Sequence, residues 1–220
     1  MKTRSLIISM VFLLISGLMV FAQDGQKITF GVQGGLNLQN MSAKDTDGVD
    51  VENSLIPGFH AGVNVIIPIA PDFYFQPVLQ FSQKGAKTEE SPDPVTFRVN
   101  YLELPLNLLY RGRLGQGYVL LGFGPYVGYG ITGKATSGDE EMDIEFQSTI
   151  ETGDPHSSAY IKALDAGAGI YAGYETALGL YFQLNTQYGL LNISPEDKRL
   201  SDDQSRANNV GFGISAGFRF

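Results

Sequence analysis

An all-β fold is predicted by three features of this sequence of 220 residues. Apolar side chains recur at every second position in eight segments, which is the period of a β-strand and not that of a helix. Residues that favour turns separate these segments. Glycine, phenylalanine and tyrosine are abundant, at 27, 14 and 11 residues, whereas cysteine and tryptophan are absent. This composition indicates a β-rich domain without disulfides or thiolate metal sites.

The first four segments each place large apolar side chains on one face of a strand and small or polar side chains on the other. Segment 28–39 has the apolar set Ile28, Phe30, Val32, Leu36 and Leu38. Segment 57–69 follows with Phe59, Ala61, Val63, Val65, Ile67 and Ile69. In 73–84 the set is Phe73, Phe75, Leu79 and Phe81, and in 98–111 it is Leu102, Leu104, Leu106, Leu108 and Tyr110. All four segments are predicted strands.

The last four segments repeat this alternation as far as the final residue. Segment 117–131 has Val119, Leu121, Phe123, Val127, Tyr129 and Ile131, and 162–175 has Leu164, Ala166, Ala168, Ile170, Ala172 and Tyr174. Segment 178–190 has Leu178, Leu180, Phe182, Leu184, Tyr188 and Leu190, and 210–220 has Val210, Phe212, Ile214, Ala216, Phe218 and Phe220. The last run matches the ~9–11 residues of a strand tilted across a bilayer. It is therefore a candidate membrane strand.

The connections between the eight segments alternate between long and short. In chain order they are 41–56, 70–72, 85–96, 112–116, 132–161, 176–177 and 191–209. Bacterial outer-membrane barrels have an even number of strands, eight or more, with short periplasmic turns and long extracellular loops. We therefore predict an eight-stranded antiparallel up-and-down transmembrane β-barrel, closed so that no strand edge meets lipid.

Acidic residues are concentrated in the long connections. Of the 23 aspartates and glutamates, 18 lie at 41–56, 85–96, 132–160 and 193–208. None of the other five falls on the apolar face of a predicted strand, where a charge facing lipid would be costly. The formal net charge of −8 also disfavours a nucleic acid partner.

Residues 1–22 have the layout of a signal peptide for Sec export. Lys2 and Arg4 precede an apolar run, and Ala22 stands before a polar stretch. The alternative, an uncleaved anchor helix, fits less well because the run is shorter than the ~20 residues of a membrane span. We expect a signal peptide at 1–22 and a β-barrel domain at 23–220, located in the bacterial cell outer membrane.

A soluble eight-stranded barrel of the lipocalin type is the main alternative fold, with the apolar face turned inward around a ligand. Alternation alone does not decide which face lies inside. The opposite face, however, is rich in glycine and poor in lysine and glutamate, which makes a poor water-exposed surface. Glycine and tyrosine together can fill a narrow barrel interior. This composition favours the membrane barrel.

Six short motifs are spread over almost the whole chain after the predicted signal peptide. They are AQ at 22–23, KITFGVQGGLN at 27–37, YLELPLNLLY at 101–110, LLGFGPYVGYG at 120–130, FQLNTQYGLLNI at 182–193 and the terminal GFRF. In order and spacing the sequence resembles the PorT-like outer-membrane β-barrel family of Bacteroidetes. The resemblance implies an eight-stranded outer-membrane barrel and, from the founding member, a role in type IX protein secretion linked to gliding. It also implies that Phe218 and Phe220 form an insertion signal read by the barrel-assembly machinery.

Six charged residues lie on the polar face of the predicted strands, which would face the lumen. They are three acids and three bases: Lys84, Glu103, Arg111, Asp165, Glu175 and Arg219. Because an unpaired buried charge is costly, we expect them to form an ion-paired network. An eight-stranded lumen has room for side chains and little else, so this network is predicted to be a packed plug. A narrow polar pore or proton path is the alternative.

The sequence shows no recognisable pattern for catalysis or for binding a metal or cofactor. The two histidines, His60 and His156, lack ligand spacing, and no spacing links His60 with Ser82 and Glu103 into a nucleophile motif. The GxGxxA match at 167–172 lies inside an alternating strand, where its glycines are interpreted as small lumen residues. We therefore predict a protein that is not an enzyme and has no cofactor.

The longest connection, 132–160, carries seven acidic residues and lacks the glycine and ligand spacing of a calcium loop. We expect a solvated, mobile loop there, and a partner site, because binding usually resides in loops on a rigid scaffold. The predicted function is a non-enzymatic barrel presenting acidic extracellular loops, as an accessory of secretion or for surface interaction. A narrow channel for small solutes and a soluble ligand binder are the alternatives. The predicted partners are outer-membrane lipid, the barrel-assembly machinery and a secretion or surface partner at the long connections.

Overall fold

The computed structural model describes residues 27–89, 94–155, 157–200 and 202–220, and these residues form an all-β fold. Eight long strands follow one another: β1 (Thr29–Lys44), β2 (Ile56–Ala70), β3 (Phe73–Thr88), β4 (Val95–Leu114), β5 (Gly117–Ser137), β6 (Leu164–Glu175), β7 (Leu180–Gly189) and β8 (Arg206–Arg219). Each corresponds to one predicted segment, so the all-β prediction is confirmed. The predicted signal peptide at 1–22 lies outside the described residues.

Backbone pairing joins the eight strands into a closed ring. Each strand pairs antiparallel with the next, from β1 with β2 to β7 with β8. β8 then pairs antiparallel with β1, from Arg219 opposite Gly31 to Arg206 opposite Lys44. Because the first and last strands pair with each other, neither presents a free edge.

Tight turns connect the strands at one end of the ring, between β2 and β3, β4 and β5, and β6 and β7. Gly115 and Gly179 adopt positive φ values of 62° and 86°, and Asp72 has a φ of 62°. Glycine reaches such values without a steric penalty, and aspartate is one of the residues that tolerate them. The other four connections are longer and lie at the opposite end.

Large apolar side chains cover the outside of the ring, and polar side chains fill the inside. Leu36 and Leu184 on the outside are 65% and 66% exposed, whereas the carboxylate of Glu103 on the inside is fully buried. This inverts the usual arrangement of a water-soluble protein, in which apolar side chains lie inside. The lipocalin-like alternative requires the apolar face inside and does not fit this structure.

Two small apolar clusters lie inside the ring near its two ends. The cluster near the long connections, which we name the loop-end cluster, comprises Met41, Ala86, Val99, Tyr101, Ala135, Ile144, Ile161 and Ile193. The cluster near the tight turns comprises Ile66, Leu109, Leu120 and Tyr181. The polar interior is therefore bounded by apolar packing towards both ends.

The connection between β5 and β6 is folded over much of its length. β5 runs well beyond its predicted end, and the strand Glu140–Phe146 pairs with it antiparallel. The strand Ala159–Ile161 then pairs with Glu140–Phe146 in parallel. Ile144 and Ile161 pack in the loop-end cluster. The expectation of a mobile loop at 132–160 is therefore corrected, because apolar residues within this acidic stretch are buried by packing.

Other long connections also contain short strands, which pair with strands of the ring or with each other. Asp50–Val51 pairs with β1 and Asn53–Ser54 pairs with β3. Thr149–Ile150 pairs in parallel with Glu196–Asp197. In the part of the chain that the structure describes, no helix is long and apolar enough to cross a membrane.

Candidate functional site

Three of the six predicted lumen residues meet near the end of the ring that carries the long connections. Lys84 Nζ lies 2.5 Å from Glu103 Oε1 and 3.1 Å from Asp165 Oδ2. The hydroxyl of Tyr126 and the amide of Asn209 donate to the same Asp165 oxygen at 3.2 and 3.0 Å. Lys84, Glu103 and Asp165 are referred to below as the loop-end triad. With both carboxylates ionised, this triad carries one excess negative charge.

The other three predicted residues meet near the tight turns. Arg111 Nη2 lies 2.7 Å from Glu175 Oε1, and Arg219 Nη1 lies 2.8 Å from Glu175 Oε2. The Arg111 guanidinium also stacks on Tyr118, 3.4 Å from the centre of its ring. Arg111, Glu175 and Arg219 form the turn-end triad, which carries one excess positive charge. The six residues are thus divided into two groups of opposite net charge.

Strand register brings the loop-end triad together. Glu103 of β4 and Asp165 of β6 both lie opposite Gly128 of β5. A Cβ at Gly128 would lie 3.4 Å from Glu103 Cγ, so a larger side chain would occupy the space beside this carboxylate. The Lys84 amine enters from β3 and contacts both acids.

A layer of neutral polar side chains separates the two triads. It surrounds a cavity of about 60 Å³, whose lining includes Gln33, Asn37, His60, Gln76, Gln183 and Ser215. This volume holds no more than a few water molecules. The Gln80 amide donates to Glu103 Oε2 at 2.9 Å and so connects the layer to the loop-end triad.

His60 joins three strands at the centre of this layer. Asn37 Nδ2 donates to the backbone carbonyl of Gln83 at 3.2 Å, so Asn37 Oδ1 faces His60 Nδ1 and accepts a hydrogen bond from its N–H. His60 Nε2 then accepts from the Ser215 hydroxyl at 2.7 Å. Hydrolases use the same order of nucleophile, base and orienting group. Here, however, the Asn185 amide donates to the Ser215 oxygen at 2.9 Å, and the cavity has no room for an organic substrate. We therefore interpret the arrangement as interior packing.

Sequence spacing does not reveal this contact between His60 and Ser215. Ser82 lies opposite His60 in the strand register but is not its hydrogen-bond partner. The informative residue is Gly35, which lies opposite both His60 in β2 and Ser215 in β8. A Cβ at Gly35 would come within 2.6 Å of His60 Cε1. The missing side chain therefore leaves the space through which the His60 ring reaches Ser215.

The two aromatic residues of the predicted insertion signal lie outside the ring, near the tight turns. The rings of Phe218 and Phe220 meet edge to face, with their centres 5.3 Å apart. The backbone N–H of Phe220 donates to the carbonyl oxygen of Phe30 at 2.9 Å. Their role as a signal stays a prediction.

The long connections carry exposed ion pairs. Lys198 Nζ lies 2.7 Å from Glu151 Oε1, and Lys134 contacts Glu141. The hydrogen bond to Glu151 raises the pKa of the Lys198 ammonium above its usual value. Among the described residues, no group of three or more histidines, aspartates or glutamates is arranged to hold a metal ion. His156 lies outside those residues.

Comparison with known proteins gives one family and several similar structures. The family described as "Outer membrane protein beta-barrel domain" matches residues 21–194. OprG, an outer membrane protein from Pseudomonas aeruginosa, has a TM-score of 0.50 at 15% identity, over 87% of this chain and 95% of that chain. Neisserial surface protein A (NspA) has a TM-score of 0.46 at 12% identity, over 89% of this chain and 100% of that chain. Ail, the attachment invasion locus protein of Yersinia pestis, has a TM-score of 0.41 at 14% identity, with the same coverage. No curated protein matches the chain.

The family match spans most of the chain, from before β1 to beyond β7. The likeness to OprG shows a shared fold, independently of the family match. Both agree with a ring that is apolar outside and polar inside. The chain therefore belongs to the family of outer membrane β-barrel domain proteins and is a protein of the bacterial outer membrane.

Proposed function

We propose that the ring is an eight-stranded antiparallel up-and-down transmembrane β-barrel with a sealed lumen, and that its acidic extracellular loops bind a protein partner. The observation that carries the proposal is the combination of an apolar exterior with a charge-paired, buried interior. In an outer membrane the exterior faces lipid and the interior closes the lumen. Sec export through the signal peptide at 1–22 and a barrel domain at 23–220 belong to the same proposal.

The height of the apolar exterior supports a membrane-spanning barrel. In β1 and the residue before it, the exposed apolar side chains run from Ile28 to Leu38, and Asn40 is the next residue on this face. Ten residues of strand rise about 33 Å, which becomes about 25 Å at a tilt of about 40°. The apolar band of bacterial barrels is also about 25 Å tall.

Successive layers fill the lumen along its length. The loop-end cluster comes first, followed by the loop-end triad, the polar layer around His60 and the turn-end triad. Each buried acid or base of the two triads has a partner of opposite charge, which offsets the cost of removing it from water. A lumen filled in this way stiffens the barrel and does not pass solutes.

The ordered long connections support a binding role outside the cell. Short paired strands and ion pairs hold the described parts of the acidic segments 41–56, 132–160 and 193–208. The predicted set of acidic loops also includes 85–96. A surface that is already ordered loses less conformational entropy on binding. Its excess of acids favours a partner with a basic surface. By resemblance to the PorT-like family, this non-enzymatic barrel is an accessory of protein secretion.

Co-purification from native outer membranes tests the partner. The variant E140Q/D143N/E145Q removes three charges from the strand Glu140–Phe146 and leaves the buried Ile144 in place. We expect the partner to be recovered with the wild-type barrel and lost with this variant, while both migrate as heat-modifiable barrels. Recovery of the same partner in equal amounts would contradict the role of the acidic surface.

A narrow channel is a second candidate function, favoured by the cavity between two triads of opposite net charge. If water in this cavity is part of a conducting path, the triads lie at its two constrictions. Planar bilayers separate the two functions. Steady single-channel currents that change in the variant R111Q would support the channel, and silent bilayers with inserted barrels would support the seal.

Assembly by the barrel-assembly machinery is tested by deleting Phe218 to Phe220. We expect impaired assembly, because the deletion removes the predicted signal and the last pairing of β8 with β1. Normal amounts of heat-modifiable barrel after this deletion would refute the role of the terminal aromatics.

A further inference from the structure

A cleft among the long connections concentrates positive charge on an otherwise acidic surface. Its volume is about 500 Å³, and Lys44, Lys162 and Arg206 contribute to its lining. Neither Lys162 nor Arg206 forms an ion pair with any described residue. Lys44 lies 3.6 Å from Asp50, whose side chain is 86% exposed. These three residues are named the cleft bases.

Other bases in the long connections are paired with acids. Lys134 contacts Glu141, Lys198 Nζ lies 2.7 Å from Glu151, and Arg199 Nη2 lies 2.6 Å from Asp197. Lys162 and Arg206 therefore differ from these bases, because neither forms an ion pair with a described residue, whereas Lys44 is paired with the exposed Asp50.

Two acids also line the cleft and offset part of its positive charge. Asp203 accepts hydrogen bonds from the backbone N–H groups of Asp197 and Ser205, at 2.9 and 3.0 Å. Glu196 is exposed. The three cleft bases and the two carboxylates that line the cleft sum to one positive charge. Asp50 pairs with Lys44 at 3.6 Å, so Lys162 and Arg206 are the cleft bases that form no ion pair with a described residue.

The register of the closing seam places two cleft bases side by side. Lys44 of β1 lies directly opposite Arg206 of β8. Like charges at directly opposed positions of an antiparallel pair destabilise it. An anion that contacts both side chains would remove this repulsion, and Lys162 adds a third cation to the same cleft.

The position of this pair relative to the apolar band indicates the source of the anion. Lys44 and Arg206 share a face with the exposed apolar pair of Leu38 and Phe212, so they point away from the lumen. Lys44 lies four residues beyond Asn40, or about 13 Å along the strand and about 10 Å in height at a tilt of about 40°. The headgroup region of a bilayer is about 5–8 Å thick on each side. Long lysine and arginine side chains therefore reach its outer boundary.

We propose that this cleft binds the phosphate groups of a phosphorylated glycolipid in the outer leaflet. The Arg206 guanidinium offers two parallel donors to phosphate oxygens, and the lysines add point charges. Gln204 lines the same cleft and supplies an amide group for the attached sugar. Asn192 and Ser194 also line it, and their side chains hydrogen-bond within the chain. The proposal depends on the orientation given above, with the long connections outside the cell.

Titration of the folded barrel with lipid A tests this site. The probes are lipid A with two phosphates and the same lipid after dephosphorylation, added in detergent without phosphate buffer. The cleft variant is K44Q/K162Q/R206Q. The matched control, K87Q/K134Q/K198Q, removes the same charge from residues that do not line the cleft.

We expect the wild-type and control proteins to bind the phosphorylated lipid, and the cleft variant to bind it about 100-fold more weakly, because each base near an anionic lipid contributes to affinity. Dephosphorylation of the lipid should weaken wild-type binding to a similar degree. Added salt should weaken it as well, because it screens exposed charges.

Three results would overturn the proposal: a cleft variant that binds like the wild type, a control that loses as much affinity, or free pyrophosphate that binds as tightly as the lipid. Heat-modifiable migration of all three proteins distinguishes failure of this site from failure of the barrel. If the barrels assemble but do not bind the lipid, the lipid site is refuted and the proposed function is unaffected.

Discussion

The two charged triads inside the barrel differ in composition and in access to water. The loop-end triad has one base between two acids, and all three side chains are buried. The turn-end triad has one acid between two bases, and Arg111 is 19% exposed. Breaking a buried ion pair leaves an uncompensated charge, whereas water replaces a lost partner at an exposed one. Loss of a charged partner is therefore expected to cost more stability at the loop end than at the turn end.

The largest effect is expected from K84M. It leaves the Glu103 and Asp165 carboxylates close together without a cation, which costs about 3–5 kcal/mol in the free energy of unfolding. Urea titration of the barrel in detergent measures this change. K87M, at an exposed position of the same strand, should change stability by less than about 0.5 kcal/mol. Equal unfolding free energies for K84M and the wild type would contradict the importance of burial.

A smaller loss is expected from E175Q, which leaves Arg111 and Arg219 without their shared acid. We expect about 1–3 kcal/mol, because the loss at the buried Arg219, which is 7% exposed, is offset by relief at Arg111, which water reaches and which keeps its stacking on Tyr118. The same urea titration applies. A loss larger than that of K84M would reverse the comparison of the two triads.

Replacement of Arg111 by lysine distinguishes the contribution of its positive charge from that of its planar guanidinium group. R111K keeps the positive charge and loses the planar stack on Tyr118 and the second hydrogen bond to Glu175. We expect a loss of about 1 kcal/mol. R206K, at an exposed position that forms no ion pair with a described residue, is the control and should unfold at the wild-type urea concentration.

The smallest effect is expected from E103Q. This change removes the excess negative charge of the loop-end triad, and Lys84 keeps Asp165 as its partner. The gain from relieving repulsion offsets the lost contact, so the free energy of unfolding should change by less than about 0.5 kcal/mol. A loss as large as that of K84M would show that Glu103, and not Asp165, is the main partner of Lys84.

The strands and their outer and inner faces could be predicted from the sequence because alternation is a local property. Residues such as Leu36 and Glu103 reveal their face through their immediate neighbours alone. The six charged lumen residues were identifiable for the same reason. To identify them, one needs to know only which alternate positions of each strand face the interior.

The grouping of these residues could not be predicted, because it depends on the register between strands distant in sequence. Lys84 and Asp165 meet across three strands, and the register shifts between Asn100 and Tyr101 of β4. The contact of His60 with Ser215 depends on the seam between the first and last strands. The acidic composition of 132–160 led to the expectation of a mobile loop. The segment folds because apolar residues such as Ile144 are buried.

The pairing of β8 with β1 has a consequence for how the chain reaches its structure. The N-terminal strands leave the ribosome first, but the partner that β1 needs is the last strand to be made. Until β8 pairs with β1, a sheet of the preceding strands has open edges. Such distant pairings also form slowly. The ring can therefore close only when both strands are present, and a copy that lacks either strand leaves an open edge.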